Sequence, residues 1–300
     1  MISAESIKAK LKNLAVKENS TMQNELVFYG LERAIYRLSI SKYADRFTLK
    51  GGIFLYALFN RDFARVTQDI DLLANRTSNE ANNLKAIFEE VFSIECDDAL
   101  HYDLSSLNVK NITEFKEYHG VNVSIIAFLD RTRIPVSIDI GFGDVIYPNK
   151  VMMEFPTLLD MESPKVYAYS IYSAIAEKFE AIVSLGLINS RYKDFYDIYA
   201  IGKTKTIDGK ELQTAIIETF KHRNTNFDDI VAFTDEYMND KTNQTRWKAF
   251  IKKKQVKEKI SLEEVIKYCK KLLEPIVDSL MTNSSFAYIW NFSQEKWIEH

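Results

Sequence analysis

Apolar residues recur at helical spacing over residues 4–16 and again over 23–40. In the second stretch Leu26, Phe28, Leu31, Ile35 and Leu38 form part of one broad stripe. FTLKGG then reads as a short strand closed by a glycine turn, and IFLYALF as a buried helix. In ARVTQDIDLLA the polar residues fall on alternate positions, which predicts a half-buried strand. A helix is predicted over 80–95, a strand pair at SLNVKNITEF and VNVSIIAFL around a polar turn, and a further strand at PVSIDIGF. Strands largely stop near residue 160, where Pro164 marks a break. Helices are predicted over 168–187, 190–202, 209–222, 227–239, 243–254 and 261–282. The expected class is α/β (α+β), with a mixed-sheet N-terminal lobe at 1–160 and an all-helical C-terminal lobe at 161–300.

Composition adds bounds. A chain of 300 residues with 46% hydrophobic and 27% charged positions is not a disordered one. Nine glycines and five prolines favour long regular elements. Lys+Arg 39 against Asp+Glu 42 gives a net charge of −3, which argues against coating nucleic acid by bulk charge and leaves room for a local basic groove. Cys96 and Cys269 match no metal spacing and read as reduced thiols. The N-terminus has no apolar signal region and no stretch is long enough to span a membrane, so a cytoplasmic protein is expected.

The candidate chemistry begins in the 65–72 strand. Side chains alternate across a strand, so Arg65, Thr67, Asp69 and Asp71 are expected on one face, while Val66, Ile70 and Leu72 face a core. Two carboxylates on one face repel unless a positive charge sits between them, and carboxylate oxygens suit Mg²⁺. Asp139 is an acid on a strand that otherwise reads as core; if the two strands are neighbours, three carboxylates converge, the arrangement of two-metal phosphoryl chemistry. Asp-x-Asp alone reads more simply as a solvated edge strand. The glycine turn upstream, Gly51-Gly52, would allow a close backbone approach to phosphate. Strand, Gly-Gly, helix, Asp-x-Asp strand and later Asp strand is an order that resembles the nucleotidyltransferase superfamily.

A second cluster lies in AEKFEAIV and SRYKDFYDIY. Asn189 or Ser190 can cap the second helix. Lys193 and Asp197 are spaced for an i,i+4 ion pair, and each charge taken singly reads as solvated. Together with FTLKGGIFLYALF, RVTQDIDLL and VSIDIGFGD, these segments resemble the AbiEii/AbiGii toxin family of bacterial nucleotidyltransferases, the toxins of two-gene toxin–antitoxin (type IV-like) and abortive-infection phage-defence systems. The resemblance covers residues ~25–205 with motif order kept.

The resemblance implies a site residue by residue. Asp69, Asp71 and Asp139 would be metal ligands for Mg²⁺ or Mn²⁺. Lys50, Gly51, Gly52, Arg65, Thr67, Lys178, Arg191, Lys193 and Asp197 would bind nucleotide. Asp69, Asp71, Lys178 and Asp194 would be catalytic, Lys178 being placed to meet the triphosphate. Ile53 stands where the family's turn often has Thr or Ser, so a hydroxyl contact to phosphate is absent there. The implied activity is transfer of an NMP from an NTP to RNA, the tRNA 3′ end above all, with a cognate antitoxin encoded nearby. Rival readings are a small-molecule nucleotidyltransferase of the aminoglycoside-modifying kind, a kinase-like phosphotransferase, for which no Gly-x-Gly-x-x-Gly loop speaks, and a non-catalytic binding module. The basic run at 247–259 and the pair Lys221 and Arg223 are candidate phosphate contacts that read more simply as solvated helix faces. Trp290 and Trp297 are expected to anchor a tail.

Overall fold

The computed structural model describes residues 2–62, 65–112, 120–186, 191–227, 230–256 and 258–299. The chain divides into two units: Met1–Phe63 with Thr67–Gly143 and Val151–Ala168, and Ala64–Val66 with Asp144–Lys150 and Tyr169–His300.

The first unit opens with α1 (Ala4–Lys17) and α2 (Met22–Ile40), capped by the hydroxyls of Ser3 and Thr21. There follow β1 (Phe47–Lys50), α3 (Gly51–Leu58), β2 (Ile70–Ala74), α4 (Ala81–Phe92), β3 (Leu100–Ile112), β4 (Gly120–Leu129), β5 (Thr132–Phe142), β6 (Val151–Glu154) and β7 (Lys165–Ala168). They form a seven-stranded sheet in the order β3-β4-β5-β2-β1-β7-β6. It is mixed: β2 runs parallel to β5 and β1 parallel to β7, and the other pairs are antiparallel. Along β4 the residues Val121, Val123, Ile125 and Ala127 are buried while those between them are half-buried, as the period of 2 along a strand requires. α2 lies against β5. Gly30 permits the approach, since a Cβ there would sit 2.7 Å from Ile134 Cγ2.

The predicted strand at ARVTQDIDLLA is shorter than expected. Only Ile70–Ala74 is extended into the sheet. The Val66 N–H bonds instead to the Lys254 carbonyl at 3.1 Å, so the lead-in has no ladder partner, and Arg65, Thr67, Asp69 and Asp71 do not share one strand face. Arg65 and Thr67 are buried rather than displayed. The end of the predicted strand at SLNVKNITEF, residues 113–115, lies outside the described residues.

The second unit holds α5 (Ile171–Leu185), α6 (Tyr192–Thr204), β8 (Ile207–Asp208), α7 (Gly209–His222), α8 (Asp235–Asn239), α9 (Lys241–Lys253), α10 (Leu262–Met281), β9 (Tyr288–Asn291) and β10 (Lys296–Glu299). It is mainly helical but not all-helical: β10-β9-β8 form a three-stranded antiparallel sheet. The two C-terminal tryptophans explain it. Trp290 is fully buried and donates to the Gly202 carbonyl at 2.8 Å, and Trp297 donates to the Leu272 carbonyl at 3.1 Å. Strands of two to four residues are too short for a periodicity to register. The helix expected over 227–239 is reduced to a 3-10 turn at Val231–Phe233 and the one-turn α8. The caps expected at Asn189 or Ser190 lie outside the described residues; α6 follows Arg191, whose side chain makes no capping bond. Cys96 and Cys269 are free thiols. No helix among the described residues is long and apolar enough to cross a membrane.

Candidate active site

The sheet register assembles one end of the site. Lys50 on β1 is paired with Asp71 on β2, Asp71 with Asp139 on β5, and Asp139 with Asn122 on β4. Register partners on neighbouring strands share a face, so these four form one polar row across four strands. The alternate row, with Ile70, Leu72, Ile138 and Ile140, is buried. Asp69 joins from just before β2, held by the Thr67 hydroxyl, which donates to its Oδ1 at 3.1 Å. Asp69, Asp71 and Asp139 are half-buried, and one oxygen of each lies within 4.8 Å of the others. At that spacing each pair repels by roughly 3–4 kcal/mol at an effective dielectric near 20. An all-oxygen donor set of three carboxylates fits a hard divalent cation such as Mg²⁺ or Mn²⁺.

The glycine turn is shaped around Asp71. Gly51 has φ +64, the left-handed region, and a Cβ there would stand 1.9 Å from Asp71 Oδ2. The Gly52 N–H donates to the same oxygen at 3.3 Å. This N–H is therefore turned toward a carboxylate.

A separate charged hub is built within the second unit. Arg65 grips Asp197 with both branches, Nε to Oδ1 at 2.6 Å and Nη2 to Oδ2 at 2.7 Å. Lys178 on α5 donates to Asp197 Oδ2 at 2.6 Å and to Asp194 Oδ1 at 3.1 Å. The Arg191 Nε lies 2.7 Å from Asp194 Oδ2. Lys178, Asp194, Asp197 and Arg65 are all buried, so the reading of Lys178, Asp194 and Asp197 as solvated charges fails, and so does the i,i+4 pair of Asp197 with Lys193. Helical spacing places Asp194 and Asp197 on one side of α6, facing α5. Burial pushes the Asp197 carboxyl up, but Arg65 and Lys178 outweigh it and hold it down at about 2. Asp194 is likewise held below its ordinary value, burial being outweighed by Lys178, Arg191 and Lys193. Burial alone would lower the Lys178 ammonium, yet Asp197 and Asp194 raise it, so it stays charged. Two of its three N–H donors are committed to these carboxylates.

Arg191 and Lys193 are exposed at the start of α6. Arg223, expected on a solvated face, is instead mostly buried, 2.8 Å from both Asp144 and Glu180. Lys221 is exposed as expected, beside exposed His222, and so are Lys248, Lys252, Lys253 and Lys259 of the basic run. A cavity of about 550 Å³ in the first unit, lined by Arg37, Cys96, Tyr102 and Ser105 among others, contains none of the three acids. Its Arg37 is bound to both oxygens of Asp98. Sequence reasoning missed Asn122, whose only signal is its place, with Ser124, as a polar residue on a mostly apolar strand, and missed the role of Arg223 as a link to Asp144 and Glu180.

A mixed sheet that brings an Asp-x-Asp strand beside a third aspartate, behind a glycine turn, defines the nucleotidyltransferase fold. The sequence over residues 33–267 matches the family described as nucleotidyl transferase AbiEii toxin, Type IV TA system. The chain belongs to this family of nucleotidyltransferase toxins. The chain is also similar to two solved structures from Helicobacter pylori. JHP933 is 13% identical with a TM-score of 0.49, over 86% of this chain and 94% of that one. A second is 13% identical with a TM-score of 0.47, over 86% of this chain and 96% of that one. No curated protein matches.

Proposed function

We propose that the chain transfers an NMP from an NTP to an RNA acceptor, the 3′ end of tRNA, and that this arrests growth unless a cognate antitoxin intervenes. The observation that carries the reading is the convergence of Asp69, Asp71 and Asp139 beside the Gly51-Gly52 turn. These three carboxylates would hold Mg²⁺ or Mn²⁺. When bound, the metal supplies charge neutralisation for the triphosphate and lowers the cost of developing charge on the leaving pyrophosphate. The acceptor oxygen forms a bond to the α-phosphorus as the bond to the pyrophosphate oxygen breaks, and the hydroxyl proton is lost to water. Asp139 helps polarise that hydroxyl. Lys50 stands in the same row and offsets the acids. Arg191 and Lys193 are the exposed cations of the nucleotide-binding set, whereas Arg65, Lys178, Asp194 and Asp197 serve the reaction as a mutually bonded group.

The test is incubation of the purified chain with Mg²⁺, total tRNA and each labelled NTP in turn. Metal-dependent label on RNA, lost in Asp71→Ala, supports the reading. Label appearing only on a small acceptor, or on no acceptor with any NTP, overturns it.

A further inference from the structure

Asn122 is a neutral residue between Asp139 on β5 and Lys110 on β3 in the register, and its bonding is specific. Its Nδ2 donates to Asp139 Oδ1 at 2.6 Å and to Ser137 Oγ at 2.9 Å. A side-chain amide has two N–H donors, so both are used. The first bond is at the short end for N–H to a carboxylate. The antiparallel register of β4 on β5 fixes the placement, because Asn122 and Asp139 are direct partners across the ladder.

The same device recurs at the other two acids. Thr67 donates its hydroxyl to Asp69 Oδ1, and Gly52 its backbone N–H to Asp71 Oδ2. Each of these three donors is neutral. A Lys or Arg at position 122 would neutralise Asp139 and compete with a metal for it; an Asp would repel it. An amide holds one oxygen and fixes the carboxylate plane while leaving its charge.

We propose that Asn122 is a positioning residue that orients Asp139 for divalent-metal binding. This rests on the reading of the three aspartates as a metal site. Serine at 137 completes the arrangement by taking the second N–H, which stops the amide from rotating away from Asp139.

The experiment titrates Mn²⁺ into the full-length chain without nucleotide and reads free Mn²⁺ by EPR. The wild type is expected to bind and Asp71→Ala to lose binding. Asn122→Ala and the shape-conserving Asn122→Leu are expected to weaken Mn²⁺ binding by about 10–100-fold, as loss of an outer partner does elsewhere. Thermal melts identify which variants are folded, and a purely structural role would lower the melting temperature with Mn²⁺ affinity unmoved. If the wild type binds no better than Asp71→Ala, the metal reading itself fails. If those two differ as expected but either folded Asn122 variant binds within about twofold of wild type, well short of the loss an outer partner causes, the positioning role is overturned.

Discussion

Replacing Asp197 by Asn tests the charged hub. The carboxylate receives both branches of Arg65 and the Lys178 ammonium, and it is fully buried. The variant leaves Arg65 with one amide oxygen to share with Lys178, whose remaining charged partner is Asp194. Removing one partner of a buried ion pair costs about 3–5 kcal/mol. Part of that cost depends on pH. The carboxyl is held at about 2 against an ordinary 3.8, so the unfolded chain takes up the proton first as pH falls. The stabilisation is therefore complete above the unfolded value and is lost as pH drops through 3.8 toward 2. That gap is worth about 2 kcal/mol. Urea unfolding followed by tryptophan fluorescence is the assay, because Trp247, Trp290 and Trp297 all belong to the unit that carries the hub. The difference between wild type and variant should be flat from pH 7 to 5 and shrink by about 1 kcal/mol at pH 3. A variant within about 1 kcal/mol of wild type at pH 7 would refute the hub as a stabilising element, given the penalty expected for an orphaned buried charge. A difference that stays constant down to pH 3 would refute the depressed Asp197.

Further outcomes follow from the same geometry. Gly51→Ala pushes a methyl onto Asp71 Oδ2 and is expected to lower NMP transfer by at least about two orders of magnitude, measured as label on RNA. Lys178→Ala leaves two buried carboxylates facing each other and should be destabilised by about 3–5 kcal/mol in the urea assay, while exposed Lys193→Ala stays within about 0.5 kcal/mol of wild type. On expression without antitoxin, the wild type should slow bacterial growth, and Asp69→Ala and Asp194→Ala should be harmless at equal protein levels on immunoblots. If the basic run contacts RNA, replacing exposed Lys248, Lys252 and Lys253 with Gln should shallow the salt dependence of RNA binding by roughly 0.7 per lost single-strand contact in a log–log plot.

The motifs carried much of this chemistry in plain view. Gly51-Gly52, Asp69, Asp71 and Asp139 stand out because glycine pairs and strand acids are rare choices in a core, and the chain belongs to the AbiEii family that their order resembles. The helices were legible because their apolar stripes are long: α2 and α10 run for 19 and 20 residues. The lead-in at 65–69 was not, since its alternation of polar and apolar residues mimics a strand while the Val66 N–H bonds to the Lys254 carbonyl rather than to a sheet neighbour.

What the sequence alone determined was which residue types stand at which spacing, hence the local elements and the identity of the acids. What only the tertiary structure decided was their partners. Nothing in the spacing of Asn122 and Asp139 says that they are opposed; the register of β4 on β5 does. Nothing local says that Asp197 is answered by Arg65, 132 positions away, rather than by Lys193 one turn back. Short-range pattern follows from backbone geometry, which each segment carries by itself. Charge pairing at long range follows from which buried surfaces meet, and that is a property of the whole packed unit.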